Sequence, residues 1–425
     1  MERLPGFRDF YPEPLPHADL WSADARQYLF EKWRSIARRY GFREYDGPPL
    51  EPLELFTTKS GDEIVGQLYN FRDKGEREVA LRPEMTPTLA RMAAAHERNY
   101  KKPVKWFAIP QLFRYERQQK GRLREHFQLN ADIIGESDSG ADAELIALLI
   151  DSLRSLGLTA NDLVIRLSSR NAWHDFFIRH NGNPAAEYAF YQAVDKLDRE
   201  EPSVSEKKLG EFGLSLAQVK ATIDGAQPTA ELQRILDNLA ARGLEQYVRV
   251  DYSVIRGLAY YTGIVFEAFD RTGDQPRAIA GGGRYDNLIK LISGGKVDLP
   301  ALGFGMGDVV LLELLKSRQL LPRFEGGVDA FCIIEDEALR LPSLRAIEEL
   351  RWAGFAVEYP LTPARPDKQF KRAQEMKSPW TFRLQNNECG EVVARIRNLK
   401  TRVETVAGPD KMVEAISAEM RRSAT

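Results

Sequence analysis

The sequence predicts a chain of mixed α and β structure in two parts. The larger N-terminal part combines strands and helices with a helical insertion, and the smaller C-terminal part is an α/β domain. A chain of 425 residues is longer than one ordinary domain. The segment 320–327, LLPRFEGG, combines proline with two glycines and is typical of a linker. Beyond it, short strand and helix patterns alternate to the C-terminus, which predicts a compact α/β domain.

The composition is that of a globular protein. Hydrophobic residues make up 43% of the chain and charged residues 29%, which allows a sizeable buried core. No apolar run approaches the roughly 18 residues of a membrane-spanning helix, and the N-terminal stretch lacks the apolar core of a secretory signal. Two cysteines, Cys332 and Cys389, and five scattered histidines argue against a disulfide framework or a structural zinc site. These features favour a cytoplasmic protein without a membrane partner.

The net charge of −2 does not by itself indicate a nucleic-acid partner. The N-terminal part opens with a predicted helix, because apolar residues recur at helical spacing over 18–40 and Gly41 stands where a helix would end. The following FREYDGPPLEPLELF predicts a strand that is interrupted by Pro48 and Pro49. Such an interruption is typical of a sheet edge or an interface.

The middle of the N-terminal part alternates strands with helices and then becomes purely helical in pattern. EREVALRPEMTPTLARMAAAHERN predicts strand, turn and helix, with Thr86 as the N-cap and Pro87 at the first helical position. A second helix is predicted from about 141 to 156. Residues from about 172 to 246 are polar and helical in pattern, and we interpret them as an insertion bundle. Strands resume in YVRVDYSVIRG and YYTGIVFEAFD.

The densest candidate site is the segment FRYERQQKGRLREHFQLNADIIG, residues 113–135. Strand periodicity places Arg114 and Glu116 on one face, and it places Gln128 and Asp132 on one face of the return strand. Arginine makes bidentate, permanently charged contacts with polyphosphate, and a carboxylate can hold a cationic or donor group of a small substrate. Taken alone, an ordinary solvated hairpin rich in surface charge explains the segment at least as well.

The segment LRPEMT, residues 81–86, is a second candidate. Arg82, Glu84 and Thr86 share strand parity just before a predicted helix, whose N-terminus favours anions and offers free N–H groups. A helix cap at Thr86 and a surface ion pair between Arg82 and Glu84 would explain the same pattern.

A third candidate is VIRGLAYYTGIVFEAF, residues 254–269. Arg256 stands before a glycine, and strand periodicity predicts that Tyr260 and Tyr261 project to opposite faces of a strand. A tyrosine pair is more often part of a core and its rim than a ligand contact. The glycine clusters in AIAGGGRYD and GFGMGD can bring backbone close to a flat ligand or a phosphate. Neither cluster matches the phosphate-loop or the GxGxxG pattern.

Taken in order, these segments resemble the histidyl-tRNA synthetases, a family of class II aminoacyl-tRNA synthetases. The resemblance runs from PGFRDFYPEP to the C-terminal domain, apart from the insertion, and VIRGLAYYTGIVFEAF resembles a histidine-binding signature peculiar to this family. It implies a class II α+β catalytic domain over 1–325, with a mostly antiparallel sheet flanked by helices and the helical insertion. It implies an α/β anticodon-binding domain over 326–425. The first helix and the strand with Pro48 resemble class II motif 1, which implies a homodimer.

The resemblance implies that L-histidine is activated with ATP and Mg²⁺ to histidyl-adenylate and pyrophosphate, and is then transferred to the 3′ end of tRNA(His). No protein ligand for the metal is assigned. Arg114 and Arg256 would be catalytic at the α-phosphate. The implied ATP contacts are Arg114, Glu116, Arg122 and Arg124. The implied histidine contacts are Glu84, Met85, Thr86, Arg114, Gln128, Asp132, Arg256, Tyr260 and Tyr261.

The resemblance also implies two contacts with tRNA. Arg117 and Gln119 of the hairpin would meet the acceptor end and the extra 5′ guanosine typical of this tRNA. The stretch ARPDKQFKRAQEMK, residues 364–377, supplies a local basic surface for the anticodon-binding domain. An exposed amphipathic helix explains that stretch equally well outside the family context.

Two positions depart from the commonest family pattern. Ala259 replaces an aspartate in the histidine signature, and Val309 and Val310 replace the Glu-Arg pair whose arginine binds ATP. Both features resemble a bacterial and organellar branch of the family, and they leave Asp308 with a possible role towards Mg²⁺ or a ligand amine.

A non-catalytic paralogue is the main alternative, such as the regulatory subunit of ATP phosphoribosyltransferase. That family generally lacks the anticodon-binding domain and has eroded motifs. Here Glu84, Arg114, Arg122, Gln128 and Arg256 are all present, together with the C-terminal domain. A synthetase for threonine or proline does not fit the histidine signature.

Overall fold

A computed structural model of the chain describes residues 2–57, 66–116, 122–197, 200–225, 227–256, 259–272, 278–324, 327–408 and 411–422. The chain divides into two compact units. The first unit comprises Met1–Asp9 and Ala25–Pro322, and the second comprises Phe10–Asp24 and Arg323–Thr425. No helix within the described ranges is long and apolar enough to cross a membrane.

The secondary structure of the described residues mixes short and long elements. The strands, in chain order, are β1 (Phe10–Tyr11), β2 (Trp21–Ser22), β3 (Arg43–Glu44), β4 (Leu50–Pro52), β5 (Tyr69–Arg72), β6 (Glu78–Leu81), β7 (Val104–Ala108), β8 (Gln111–Phe113), β9 (Glu125–Ile134), β10 (Leu163–Ser169), β11 (Val248–Val250), β12 (Ile264–Asp270), β13 (Ala280–Arg284), β14 (Ala301–Gly307), β15 (Ala330–Cys332), β16 (Val357–Glu358), β17 (Trp380–Asn386), β18 (Val392–Asn398) and β19 (Glu404–Ala407). The α-helices are Ala23–Arg39, Leu53–Thr57, Thr86–Ala95, Gly140–Arg154, Arg170–Arg179, Glu187–Asp195, Pro202–Gly210, Leu216–Asp224, Ala230–Ala241, Leu288–Ile292, Asp308–Ser317, Arg340–Trp352, Pro366–Glu375 and Met412–Arg422.

The first unit is organised around one large sheet. In the described residues this sheet has nine strands, in the order β11-β10-β12-β13-β14-β9-β7-β3, with β8 paired to β9 beside this path. The β10–β11 and β3–β7 pairs are parallel, and the other pairs of this sheet are antiparallel. The predicted α+β class with a mostly antiparallel sheet is therefore confirmed.

The first helix, Ala23–Arg39, begins later than the predicted residue 18. Leu29, Trp33 and Ala37, spaced four residues apart, are fully buried, as the apolar periodicity predicts. The strand after the helix is interrupted at the two prolines, as predicted: β3 joins the large sheet, whereas β4 joins a three-stranded sheet with β6 and β5. The LELF segment that was expected to continue the strand forms the short helix Leu53–Thr57.

The predicted N-cap of the next helix is wrong by one residue. The helix spans Thr86–Ala95, its N-cap position is Met85, and the cap makes no side-chain hydrogen bond. The proline at Pro87 lies in the first turn, where its missing N–H has no intrahelical acceptor in any case. Thr86 is thus the first residue of the helix rather than its cap.

The predicted insertion is helical. The helices from Arg170–Arg179 to Ala230–Ala241 enclose an aromatic core in which Phe177 and Phe190 stack with ring centroids 4.7 Å apart. Ser169, Ser215 and Thr229 each cap a helix by accepting a backbone N–H at its N-terminus.

The second unit contains the predicted α/β domain. In its described part, a five-stranded sheet runs in the order β16-β15-β17-β18-β19, with β15 parallel to both neighbours and the other pairs antiparallel. Its core includes Cys332 of β15, Phe382 of β17 and Ile396 of β18. Leu350 of the helix Arg340–Trp352 belongs to the same core.

Candidate active site

A cleft of about 620 Å³ opens in the first unit. Its walls come from β9, β12, β13 and β14, from described residues between β8 and β9, from the loop after β11 and from the helix Asp308–Ser317. Five of the sequence-predicted site residues line it together: Arg114, Glu116, Arg122, Gln128 and Arg256. These five residues combine three arginines with two acceptor groups, a composition suited to a phosphate-bearing ligand.

Arg256 enters the cleft from the loop between β11 and β12. Its Nη1 lies 3.6 Å from Oε1 of Glu267, and its guanidinium lies over the ring of Tyr261 at 5.3 Å from the centroid. A Cβ atom on Gly281 would overlap Nη1, so only glycine permits this approach to β13. The side chain is 19% exposed, which leaves part of the charge accessible to a ligand.

Two glycines of the second cluster make room for neighbouring side chains in the same way. A Cβ on Gly303 would overlap the carboxylate of Asp132, and a Cβ on Gly305 would lie 2.6 Å from Cδ of Gln128. Sequence reasoning expected these glycines to make room for a ligand. In the described structure they first make room for the side chains of the site.

The hairpin residues lie at the cleft although Arg114 and Glu116 do not belong to a strand. β8 ends at Phe113, so their predicted common strand face is wrong. Nε of Arg114 donates to the carbonyl of Pro83 at 3.0 Å, and Nη1 of Arg122 lies 3.1 Å from Oε2 of Glu116. Arg122 is 49% exposed, so this pair can open when a stronger anion arrives.

A second group of predicted residues forms buried hydrogen-bonded pairs. The hydroxyl of Tyr260 donates to Glu84 at 2.6 Å, and the hydroxyl of Tyr285 donates to Asp132 at 2.5 Å. The expectation that Tyr260 and Tyr261 face opposite sides of a strand is wrong, because β12 begins only at Ile264. Their ring centroids lie 5.0 Å apart within one apolar cluster.

Burial sets the protonation of two groups here. It raises the pKa of Asp132 to about 7, and the hydrogen bond from Tyr285 only partly offsets this effect. It lowers the pKa of His126, a residue that lines the cleft, to about 3, and the nearby charges of Arg114 and Arg8 add to this effect. The imidazole of His126 is therefore neutral at physiological pH.

The LRPEMT segment is internal rather than a surface turn. Arg82 is buried and donates to the carbonyls of Gln111 and Gly47 at 3.0 and 2.6 Å, so the surface pair with Glu84 considered from the sequence is wrong. Met85 is fully buried, with Sδ 3.8 Å from Nη1 of Arg82. Arg82 thus shapes the segment that carries Glu84.

The other hairpin residues are placed differently. The guanidinium of Arg124 lies 4.2 Å from the ring centroid of Tyr115, and its Nε donates to the carbonyl of Glu116 at 3.4 Å. Arg117 and Gln119, predicted to contact tRNA, lie outside the described residues.

Asp308 does not have the ligand-binding role suggested from the sequence. Its Oδ2 lies 2.8 Å from Nη1 of Arg8, and its Oδ1 accepts the backbone N–H of Phe127 at 3.0 Å. Arg8 also bonds Glu125, with Nε 2.7 Å from Oε1, and all three side chains are almost completely buried. Asp308 thus ties the N-terminal segment to β9, while Val309 and Val310 line the cleft.

Sequence reasoning missed Arg8, Glu125, Glu267 and Tyr285. Glu267 lies within the motif IVFEAF, and Tyr285 lies within GGGRYD. The carboxylate and the phenol in these two motifs could have indicated site residues. The partners of Arg8 are 117 and 300 residues away in the chain, and no local pattern indicates such pairs.

Comparisons with known proteins identify relatives of this chain. A family model described as Histidyl-tRNA synthetase matches residues 17–308. The histidine–tRNA ligase of Opitutus terrae is 44% identical, over 98% of this chain and 97% of that protein. The chloroplastic/mitochondrial histidine–tRNA ligase of Arabidopsis thaliana is 38% identical, over 88% of this chain and 78% of that protein.

The same relation holds at the level of the fold. A histidyl-tRNA synthetase structure from a Nostoc species matches with a TM-score of 0.73 at 20% identity, over 96% of this chain and 98% of that one. Because the family model spans more than half of the chain and the Opitutus protein matches nearly all of it, the chain belongs to the histidyl-tRNA synthetase family and is an aminoacyl-tRNA synthetase.

Proposed function

We propose that this chain activates L-histidine with ATP to form histidyl-adenylate and pyrophosphate, and then transfers histidine to the 3′ end of tRNA(His). The observation that carries the proposal is the joint position of Arg114, Arg122 and Arg256 on one cleft. Use of ATP goes with membership of the synthetase family.

In the first step the carboxylate of histidine attacks the α-phosphorus of ATP, and pyrophosphate leaves. Negative charge grows on the α-phosphoryl oxygens, where Arg114 and Arg256 stabilise it. Arg256 is already held by Tyr261 and Glu267, so little reorganisation is needed when the charge develops. Arg122, assisted by Arg124, binds the outer phosphates, and Glu116, released from Arg122, lies near the adenine.

Histidine is recognised by the buried pairs. Glu84, held by Tyr260, binds the amino group together with Thr86, and Met85 packs behind them. Asp132, held by Tyr285, accepts the imidazole N–H, and Gln128 contacts the amino acid as well. Tyr260 and Tyr261 line the imidazole pocket.

In the second step the terminal ribose hydroxyl of the tRNA attacks the acyl carbon, and AMP leaves. His126 is a poor proton acceptor because its pKa is about 3, Glu267 is engaged by Arg256, and Glu116 lies near the adenine. The adenylate phosphate therefore takes the hydroxyl proton in our proposal.

Mg²⁺ would arrive with ATP. The carboxylate of Glu267 lines the cleft, and Mg²⁺ typically combines one or two carboxylates with phosphate oxygens and water. This residue therefore fits the ion, which when bound would neutralise phosphate charge.

The second unit is proposed to bind the anticodon. A cleft of about 230 Å³ in this unit is lined by Phe370, Arg383, Arg395 and Arg397, and by Glu335 and Glu404, which pair with Arg383 and Arg395. The helix Pro366–Glu375, which lies in the predicted basic stretch, forms one wall of this cleft. Aromatic and arginine side chains are suited to stacking on unpaired bases. The domains 1–325 and 326–425 would thus carry catalysis and anticodon binding. We further propose a cytoplasmic homodimer that meets tRNA(His) through Arg117 and Gln119.

The regulatory-subunit alternative is not favoured, because the curated relatives are named as ligases over nearly the whole chain. Histidine-dependent ATP–pyrophosphate exchange by the purified chain, followed by charging of purified tRNA(His), tests the proposed function. We expect exchange with histidine alone among the amino acids. Binding of histidine without exchange would overturn the proposal and favour the regulatory role.

A pH dependence of histidine binding follows from Asp132. Its carboxyl is protonated below about pH 7 and becomes an acceptor above it, so the KM for histidine should fall as pH rises through about 7. Asp132→Asn should raise this KM and remove that part of the pH profile. Exchange rates at saturating ATP between pH 5.5 and 8.5 provide the measurement, with the KM for ATP as the control. The titration of the substrate histidine affects the wild-type chain and Asp132→Asn equally, so it cancels in their comparison. An unchanged profile in the asparagine variant would contradict the role.

A further inference from the structure

Arg170 is a buried residue of the insertion that bonds the loop between β11 and β12. It is the first residue of the helix Arg170–Arg179 and is 4% exposed. Its Nε donates to the carbonyl of Ile255 at 3.2 Å, its Nη1 donates to that of Tyr261 at 2.8 Å, and its Nη2 donates to that of Arg256. Its backbone N–H donates to the carbonyl of Gly263 at 2.9 Å. One residue thus binds four carbonyls of this loop.

The loop needs such support because of its backbone conformation. Arg256 has a φ of +55°, in the left-handed region that residues with a Cβ rarely adopt. A conformation of this kind persists only where the surroundings fix it. The bonds from Arg170 to the carbonyls of Ile255 and Arg256 hold the turn on both sides of the Arg256 Cα.

The chemistry of the guanidinium suits this task. Arginine presents five N–H donors in one rigid plane, whereas lysine offers a compact ammonium on a flexible stem. The plane of Arg170 is itself held against aromatic rings, 4.9 Å from the centroid of Tyr191 and 5.9 Å from that of Tyr261. The hydroxyl of Tyr191 in turn donates to Glu187 and lies 3.4 Å from the backbone carbonyl oxygen of Arg170. The insertion therefore holds the Arg170 side chain in place, and Arg170 in turn holds the loop.

We propose that Arg170 is a positioning residue for adenylate formation. By holding the carbonyls of Ile255 and Arg256, it sets the direction in which the Arg256 side chain enters the cleft. By holding the carbonyl of Tyr261, it sets the position of the Tyr261 ring, which the Arg256 side chain contacts. This role rests on the proposed function. Arg170 does not line the cleft in the described residues, so it acts through Arg256 rather than on the substrate.

Replacement of Arg170 should therefore lower kcat more than it changes KM. In Arg170→Met and Arg170→Lys, we expect kcat of histidine-dependent exchange to fall by about 10²-fold, the loss typical of a displacement of about 1 Å in a reacting group. The KM values for histidine and ATP should change only a few-fold. Arg179→Met, at the exposed end of the same helix, is the matched control and should keep wild-type kinetics.

A double-mutant cycle separates positioning from a general structural role. If Arg170 acts through Arg256, adding Arg170→Met to an Arg256→Ala background should cost little further activity. Thermal unfolding of each variant gives the folded fraction. If Arg170→Met does not fold, Arg170→Lys, which keeps the charge and most of the volume, distinguishes positioning from a general structural role. A fully active lysine variant, or losses that multiply in the double variant, would overturn the positioning role. Absence of histidine-dependent exchange in the wild-type chain would instead overturn the proposed function.

Discussion

Arg256→Ala should fold like the wild-type chain and lose adenylate formation. Removing one donor aimed at developing charge typically costs about 10²–10³-fold in kcat. The Arg256 side chain is 19% exposed and lines the cleft, so its removal should leave the core intact. Histidine-dependent ATP–pyrophosphate exchange measures the loss, and far-UV circular dichroism with thermal unfolding checks the fold.

Gly281→Ala offers an independent route to the same defect. A methyl group at this position would occupy the place of Nη1 of Arg256, so the arginine must move although its charge is kept. Gly210→Ala is the matched control, because a Cβ there meets nothing within 4 Å.

If exchange persisted at the wild-type rate in Arg256→Ala, the assignment of Arg256 as a catalytic residue would be wrong.

Arg8→Met should destabilise the first unit strongly. The substitution leaves Glu125 and Asp308 buried without their shared cation, and breaking a buried ion pair in this way costs about 3–5 kcal/mol. Burial already raises the pKa of Asp308 above its usual range even with Arg8 beside it. Asp308 should therefore take up a proton in the variant, and its stability deficit should shrink as pH falls. Chemical denaturation at pH 8 and pH 5.5 measures the difference.

An exposed arginine in the same segment supplies the control. Arg3 lies 3.4 Å from Asp9 with both side chains about half exposed, so Arg3→Met should cost less than about 1 kcal/mol. Adding Glu125→Gln and Asp308→Asn to Arg8→Met should restore part of the stability by removing the unpaired charges. Equal stability of the Arg8 and Arg3 variants would show that the buried network contributes little.

The elements with regular apolar periodicity could be predicted from the sequence. The burial of Leu29, Trp33 and Ala37 follows from their spacing of four residues, and the face shared by Gln128 and Asp132 follows from strand alternation along β9. The helical insertion and the C-terminal α/β domain follow from the same local rules. These predictions hold because each depends on residues that are neighbours in the chain.

Strand periodicity failed where the chain leaves the sheet. Arg114 and Glu116 lie beyond the end of β8, and Tyr260 and Tyr261 precede the start of β12. In such turns the direction of a side chain depends on the contacts that fix the backbone rather than on alternation. For Arg256 those contacts are the bonds from Arg170, a residue 86 positions earlier in the chain.

The sequence by itself determined the family, the two kinds of domain and five of the residues that line the cleft. Only the tertiary structure decided how those residues are held. Asp308 is bound by Arg8, the glycines of β13 and β14 make room for Arg256, Asp132 and Gln128, and Arg170 supports the loop of the histidine signature. The physical reason is that motifs record which chemical groups are present. The distances between those groups arise from the packing of segments that lie far apart in the chain.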